Sequence, residues 1–232
     1  ITRQGALQRF AKHVRVPRAV LDAFFADHQP TLTVLVPSYG EETAVVRKTL
    51  LSAALQEYPK KRVVLLVDDE PKQTNPENLK RLEATRALGR EIEELFAVPR
   101  ERFLRSLRSF EERTDTGEYV AESVLQHSAA SYAAAATWLE DFADQELIED
   151  HVDYFFAEEV LRGLARELRL VEKALIASLD QGAMLSRSRA KQLYERLVWI
   201  FSAEVQVFER KQYLSLSHEK NKAMNLNSYI GL

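Results

Sequence analysis

Two short apolar runs flank a segment with helical spacing in the first third of the chain. Thr31–Val36 (TLTVLV) and Arg62–Val67 (RVVLLV) are rich in β-branched residues and almost wholly apolar. This pattern is typical of strands that are covered on both faces in a parallel sheet. Between them, residues 43–57 carry apolar side chains at helical spacing and end before Pro59. The order predicts a βαβ unit with a right-handed crossover.

From about residue 78 to residue 211 the pattern changes to long amphipathic helices. Two series of apolar residues are spaced by three or four positions, which is the period of a helix face. They are Val160, Leu164, Leu168, Val171, Leu175 and Leu179, and then Leu193, Leu197, Ile200, Phe201, Val205 and Phe208. Small polar residues and glycine predict breaks at 114–117 and 180–182. Residues 212–218 then alternate like a strand, and we expect a helix to begin near Ala223.

Composition and charge narrow the classes of protein. With 232 residues and 46% hydrophobic residues, the chain is long enough for one large or two small globular domains. Its net charge of −3 gives no positive field for non-specific nucleic-acid binding, so we expect no nucleic-acid partner. The absence of cysteine excludes disulfides, thiolate metal sites and thiol catalysis. No apolar run reaches the roughly 18 residues of a membrane helix, so we expect the printed chain itself to be soluble.

The candidate chemistry lies at the ends of the two predicted strands, where open α/β sheets bind ligands. The loops there are Pro37–Glu42 and Asp68–Glu70. Neither has the glycine-rich turn of a dinucleotide-binding fold or a P-loop, and the acids of the first loop would repel a phosphate. An aromatic ring at Tyr39 and the carboxylates of Glu41 and Asp69 instead suit a base or a ribose.

Four stretches together resemble a known family. LVPSYGEE, VRKTLLSAALQEYP, VVLLVDDE and NKAMNLN are similar to the opening half of family 2 glycosyltransferases with the GT-A fold, especially membrane polysaccharide synthases of the cellulose synthase type. The resemblance implies an α/β fold with a partial GT-A, Rossmann-like core at 31–77 and 212–232. The segment 78–211 departs from the family: it is a mainly α-helical insertion much longer than the family norm, and we expect it to pack as its own subdomain. Residues 1–30 would be a basic juxtamembrane segment with a short helix.

The resemblance also implies which residues bind a UDP-sugar, the donor substrate. Tyr39 would stack near the uracil, and Glu41 would help to hold the nucleotide. Asp69 would contact the uracil, and Lys222 would approach the diphosphate. The family usually has Tyr-Asn-Glu in the first loop, where this chain has Gly40 between the two predicted contacts.

Supporting roles follow for Asp68, which would shape the turn after the second strand, and for Asn225, which would order the last loop. The family's Asp-x-Asp metal motif, its catalytic base and its Gln-x-x-Arg-Trp motif lie downstream of NKAMNLN and do not occur here. We therefore expect no catalytic and no metal-binding residue in this chain, and no turnover by it alone.

For a full-length protein the resemblance implies a hexosyltransferase that extends a glycan acceptor at the cytoplasmic face of a membrane. Downstream segments would anchor it there, and Mg²⁺ or Mn²⁺ would be its metal. The helical insertion could bind a protein partner or mediate self-association.

A different class of function is also compatible with the pattern. The chain could be a non-catalytic α/β regulatory or binding module, with a structural or phospho-accepting acid pair and a helical block that docks a partner protein. The acidic stretch at 140–153 is interpreted as a solvated helix face rather than a metal site.

Overall fold

The computed structural model describes residues 11, 14, 16–112, 117–219 and 221–231. The chain divides into two compact units, Ile1–Pro30 and Thr31–Leu232. In the first unit, helix α1 spans Arg18–Asp27 and follows Pro17, where the sequence predicted a helix to open. Most of the basic residues of the N-terminal segment lie outside the described residues. They are Arg3, Arg9, Lys12, His13 and Arg15.

The second unit is a mixed α/β fold around a parallel three-stranded sheet, in the order β1-β2-β3. The strands are β1 (Leu32–Ser38), β2 (Lys61–Val67) and β3 (Glu204–Glu209). Residues 63–67 of the central strand are completely buried, as the apolar run predicted, because structure covers both faces of the sheet.

Helices make up most of the described chain. They are α2 (Thr43–Ala54), α3 (Pro76–Glu111), α4 (Glu122–Gln145), α5 (His151–Phe155), α6 (Arg162–Asp180), α7 (Arg187–Ile200) and α8 (Lys222–Ile230). A π-helical turn, Phe156–Leu161, joins α5 to α6. The predicted break at 180–182 is confirmed, because α6 ends at Asp180, before Gly182 at φ 64°. Of the break predicted at 114–117, residues 114–116 lie outside the described residues, between the end of α3 and the start of α4. Among the described residues, no helix is both long and apolar enough to cross a bilayer.

The long helices and the sheet share one hydrophobic core, although the sequence suggested that the helices would form their own subdomain. Val63 and Leu65 of β2 belong to the same buried cluster as Phe96, Phe103 and Phe201 from the helical segment. The rings of Phe103 and Phe201 stack with centroids 5.3 Å apart. Of the long helices, α3 lies against β3, and α4, α6 and α7 pack against α3 or against one another.

The third strand corrects the expected course of the chain. The second apolar series predicted a helix through Phe208. That helix, α7, ends at Ile200, and strand β3 follows it. The expected strand at 212–218 is a 3-10 turn, Arg210–Gln212, followed by further turns, with Leu214 99% exposed. Val205 and Phe208 fit the spacing of a helix face. They lie instead in β3, where parallel pairing with β2 provides hydrogen-bond partners for backbone groups in a sheet that is buried on both faces.

The acidic stretch is not simply a solvated face. Glu146 accepts a hydrogen bond from Arg47 at 2.9 Å, and the buried Asp153 pairs with Lys48. Both bases lie on α2, so the stretch attaches the end of α4 and the start of α5 to the βαβ unit.

Candidate functional site

A cavity of about 210 Å³ opens where β1 and β2 end and α8 begins. Parallel strands bring their carboxyl ends to one edge of the sheet, which explains why loops distant in sequence meet there. Its lining residues are Pro37, Ser38, Tyr39, Glu41, Asp68, Asn221, Lys222 and Asn225. The structure therefore brings together every predicted site residue except Asp69.

The first loop is held in shape by its own acid. Glu41 Oε2 accepts a hydrogen bond from Ser38 Oγ at 2.8 Å and another from the backbone N–H of Tyr39. Gly40 adopts φ 68°, a left-handed conformation that glycine tolerates best. One carboxylate oxygen of Glu41 is thus used by the loop itself.

Asp69 braces this loop and does not line the cavity. Its Oδ2 accepts a hydrogen bond from the N–H of Gly40 at 3.1 Å, and its Oδ1 lies 3.6 Å from a guanidinium nitrogen of Arg81. One acid of the pair lines the cavity. That acid is Asp68, which the sequence placed in the supporting role.

Asp68 forms a buried ion pair that the sequence did not predict. Arg210, which is fully buried, donates through Nε to Asp68 Oδ1 at 2.7 Å. Its two terminal nitrogens donate to the carbonyl oxygens of Ser217 and Glu219. One side chain therefore joins the end of β2 to the loop that leads into α8. The alternation of Val205 and Val207 before Arg-Lys at 210–211 could have indicated a strand here, but not the partner of Arg210.

Lys211 lies beside this pair and touches the predicted aromatic residue. Its buried Nζ donates to Glu70 Oε1 at 2.9 Å and lies 4.0 Å from Asp68 Oδ1. The same ammonium lies 5.7 Å from the ring centroid of Tyr39, within the range of a cation–π contact. One face of the Tyr39 ring is thus covered, while 49% of the residue's surface stays exposed.

Helix α8 provides the opposite wall. Asn221 caps it by accepting a hydrogen bond from the N–H of Ala223 at 2.9 Å. Lys222 is the first helical residue; it is exposed and has no ion-pair partner among the residues that the structure describes. One turn later, Asn225 is buried, and its Nδ2 donates to the carbonyl oxygen of Leu66 at 2.9 Å.

A second ion pair stabilises the end of the third strand. Arg86 of α3 donates to both carboxylate oxygens of Glu209, each at 2.7 Å. Burial raises the pKa of Glu209, but hydrogen bonds from Arg86 and Gln212 outweigh it and hold that pKa below its ordinary value. Glu209 directly precedes Arg210, so this pair helps to position the arginine that reaches Asp68.

The residues present do not fit a divalent metal. Within the described ranges, no three His, Cys, Asp or Glu side chains are arranged to hold an ion. The two acids of the cavity, Glu41 and Asp68, are already engaged by the first loop and by Arg210. No step through Mg²⁺ or Mn²⁺ is therefore assigned to this chain.

Searches against protein-family models, curated proteins and solved structures found no match for this chain. The likeness to family 2 glycosyltransferases consequently rests on its four sequence motifs.

Proposed function

We propose that this chain is the donor-binding part of a glycosyltransferase and that its cavity holds the nucleotide of a UDP-sugar. The observation that carries the proposal is the meeting of Tyr39, Asp68, Asn225 and Lys222 in one cavity at the carboxyl ends of parallel strands. On this proposal the sheet is the nucleotide-binding half of a GT-A core.

The polarity of the cavity supports a nucleotide. Pro37 and the half-exposed ring of Tyr39 form an apolar wall that suits a flat base. The carboxylate of Asp68 is an acceptor for ring N–H or hydroxyl groups. Lys222, at the amino end of α8, is placed to attract a diphosphate through its charge and the helix terminus.

The size of the cavity divides the donor into an enclosed and an exposed part. Its volume of about 210 Å³ lies below the roughly 300–1,000 Å³ of sites that enclose a whole drug-sized ligand. The nucleoside would occupy the cavity, the diphosphate would lie at its mouth beside Lys222, and the sugar would extend beyond it. Sugar transfer to a glycan acceptor, with a divalent metal and a membrane anchor, would belong to the complete enzyme.

Titration calorimetry of the chain with UDP, GDP and inorganic pyrophosphate tests the proposal. We expect UDP to bind at least tenfold more tightly than either of the others, because only UDP supplies both a small base and a diphosphate. Equal binding of pyrophosphate would show that the cavity recognises phosphate alone and would favour a regulatory module. No binding of UDP would overturn the proposal.

A further inference from the structure

Four large apolar side chains are exposed where α4 is connected to α5. Leu147 and Ile148, in the connection, are 70% and 48% exposed. Tyr154 and Phe155, at the end of α5, are each 59% exposed. Single exposed apolar residues are ordinary on a protein surface, whereas several of them together mark a place where another molecule binds.

A capping box holds the two apolar pairs close together. The N–H of Glu149 donates to Asp153 Oδ2 at 2.9 Å, which connects the residue after Ile148 to the residue before Tyr154. The N–H of Asp150 donates to the same oxygen at 3.3 Å. These bonds fix the connection against the first turn of α5, so the four apolar side chains belong to one surface.

The aromatic pair is held outward by the residues on either side of it. Asp153 is buried and pairs with Lys48, and Phe156 is buried in the hydrophobic core. Because residues three apart share one face of a helix, Asp153 and Phe156 turn that face inward. Tyr154 and Phe155 lie between them and point to solvent. The two rings are thus presented on a fixed backbone, which reduces the entropy lost on binding.

The charge around these side chains is strongly negative. Residues 140–159 contain nine acids and neither lysine nor arginine. Five of the acids pair with basic residues of α2 and α6. The other four are exposed and have no ion-pair partner among the residues that the structure describes; they are Asp141, Glu149, Asp150 and Glu159. These four acids and the four apolar residues form what we call the acidic apolar surface.

We propose that the acidic apolar surface docks a cationic amphipathic segment of a partner protein. The partner would place apolar side chains on the exposed rings and aliphatic residues, with lysines or arginines beside the acids. The same acids would repel an anionic membrane. A second copy in a two-fold contact would bring like charges together. The surface shares no residue with the cavity, so the inference is independent of the proposed function.

Three synthetic helical peptides of about 18 residues test the two parts of this recognition. The first has leucines along one face and lysines along the other, the second replaces the leucines by alanine, and the third replaces the lysines by glutamate. By fluorescence anisotropy, we expect the leucine–lysine peptide to bind about tenfold more tightly than either of the others. Equal affinity of the alanine peptide would show that charge alone acts, and equal affinity of the glutamate peptide would show that apolar contact alone acts. Either result, or no binding of the first peptide, would overturn the inference.

A double variant then connects binding to this surface. With Tyr154→Ser and Phe155→Ser together, affinity for the leucine–lysine peptide should fall about tenfold, because both aromatic contacts are lost. Leu170→Ser, at a leucine of α6 that is 67% exposed, is the matched control and should leave the affinity within about twofold. Thermal melts check that both variants fold; if the double variant does not, Leu147→Ser takes its place. A folded variant that keeps the full affinity would overturn the inference.

Two measurements distinguish the other occupants of this surface. A dimer of the unchanged chain in sedimentation velocity that the double variant dissociates would assign the surface to a second copy and overturn the inference. Binding to vesicles of phosphatidylserine and phosphatidylcholine that the double variant abolishes would assign it to a membrane, with the same consequence. A monomer that binds the leucine–lysine peptide but not the vesicles would support the inference.

Discussion

The two ends of the central strand both bury a charged side chain, with different results. At the amino end, the ammonium of Lys61 donates to the carbonyl oxygens of Gln56, Trp199 and Ile200. Burial lowers the pKa of Lys61 to about 7, against the opposing effect of the nearby Glu57 carboxylate. These carbonyls lie at or just beyond the ends of α2 and α7, so Lys61 adds a donor where the regular helical hydrogen bonding ends.

At the carboxyl end the matching of polar groups is incomplete. Arg210 and Asp68 neutralise each other, but the same edge has a cavity and an exposed cation at Lys222. It also has the amide oxygen of Asn225, which has no hydrogen-bond partner in the part of the chain that the structure describes. At the amino end, carbonyl groups of the chain itself bind the buried lysine. At the carboxyl end, polar groups around the cavity remain available to a ligand. The contrast teaches that a buried charge alone does not indicate a site, whereas unmatched polar groups around a cavity do.

The largest effect is expected from breaking the ion pair at the carboxyl end. Arg210→Met would leave the buried Asp68 with only the more distant Lys211, at 4.0 Å, as counter-charge, and would remove the donor to the carbonyls of Ser217 and Glu219. We expect a loss of about 3–5 kcal/mol in the free energy of unfolding, measured by urea denaturation. Arg90→Met, at an exposed pair on α3, is the control and should change it by less than about 0.5 kcal/mol. A loss at Arg210 as small as the control's would contradict the role assigned to this pair.

At the amino end, Lys61→Met should cost about 2–3 kcal/mol near neutral pH, because three carbonyls lose the hydrogen bond that Lys61 donates. It should also change the pH dependence. The pKa of Lys61 is about 7 when folded and 10.5 when unfolded, so the unfolded chain binds more protons between these values. The stability of the unchanged protein therefore rises with pH in this window, by at most about 1.4 kcal/mol per pH unit more than that of the variant. Urea denaturation of both proteins at pH 7.5 and 9.5 measures this difference. An equal change in the free energy of unfolding of the two proteins between these pH values would contradict the prediction.

Glu209→Gln, at the last residue of β3, tests how much the ion pair with Arg86 stabilises the third strand. We expect a loss of about 1–2 kcal/mol at pH 7, because the bidentate bond from Arg86 loses its charge. The pKa of Glu209 is depressed on folding, so its contribution is complete above its unfolded pKa and disappears as pH falls through the folded one. The variant and the unchanged protein should therefore converge in acid in thermal melts. A difference that is constant with pH would show that the charge does not matter.

The smallest change in stability, with a clear change in binding, is expected for Lys222→Gln. The side chain is exposed, so the free energy of unfolding should move by less than about 0.5 kcal/mol. Affinity for UDP should fall about tenfold, while affinity for uridine should not change, because the lysine meets only the diphosphate. Lys60→Gln, an exposed lysine at the amino end of β2, is the matched control for calorimetry. Equal effects of the two substitutions would remove the distinction between the two ends.

The sequence predicted the elements whose signals are local. Strands β1 and β2, helix α2 and the start of α8 lie within a few residues of their predicted positions, because apolar runs and helical spacing depend on neighbours. Strand β3 was missed because Val205 and Phe208 fit a helix equally well, and only pairing with a strand far away in sequence decides between them.

The same limit applies to the candidate site. Its lining by Tyr39, Glu41 and Lys222 followed from strand ends and motifs. The buried Arg210 could not be foreseen, since its importance comes from a partner at the end of another strand. Which of two adjacent acids faces the cavity likewise depends on the direction in which the backbone leaves β2.

The Asp68–Arg210 contact spans 142 positions of the chain, which affects the order of folding. Contacts between residues so far apart close a large loop before they contribute any stability, and they slow folding of a domain. During synthesis, Asp68 cannot pair with Arg210 until helices α3 to α7 have been made. These helices can fold before the ion pair forms. The cavity is therefore among the last parts to assemble, and a substitution that slows the pairing of β2 with β3 would delay its formation without touching a lining residue.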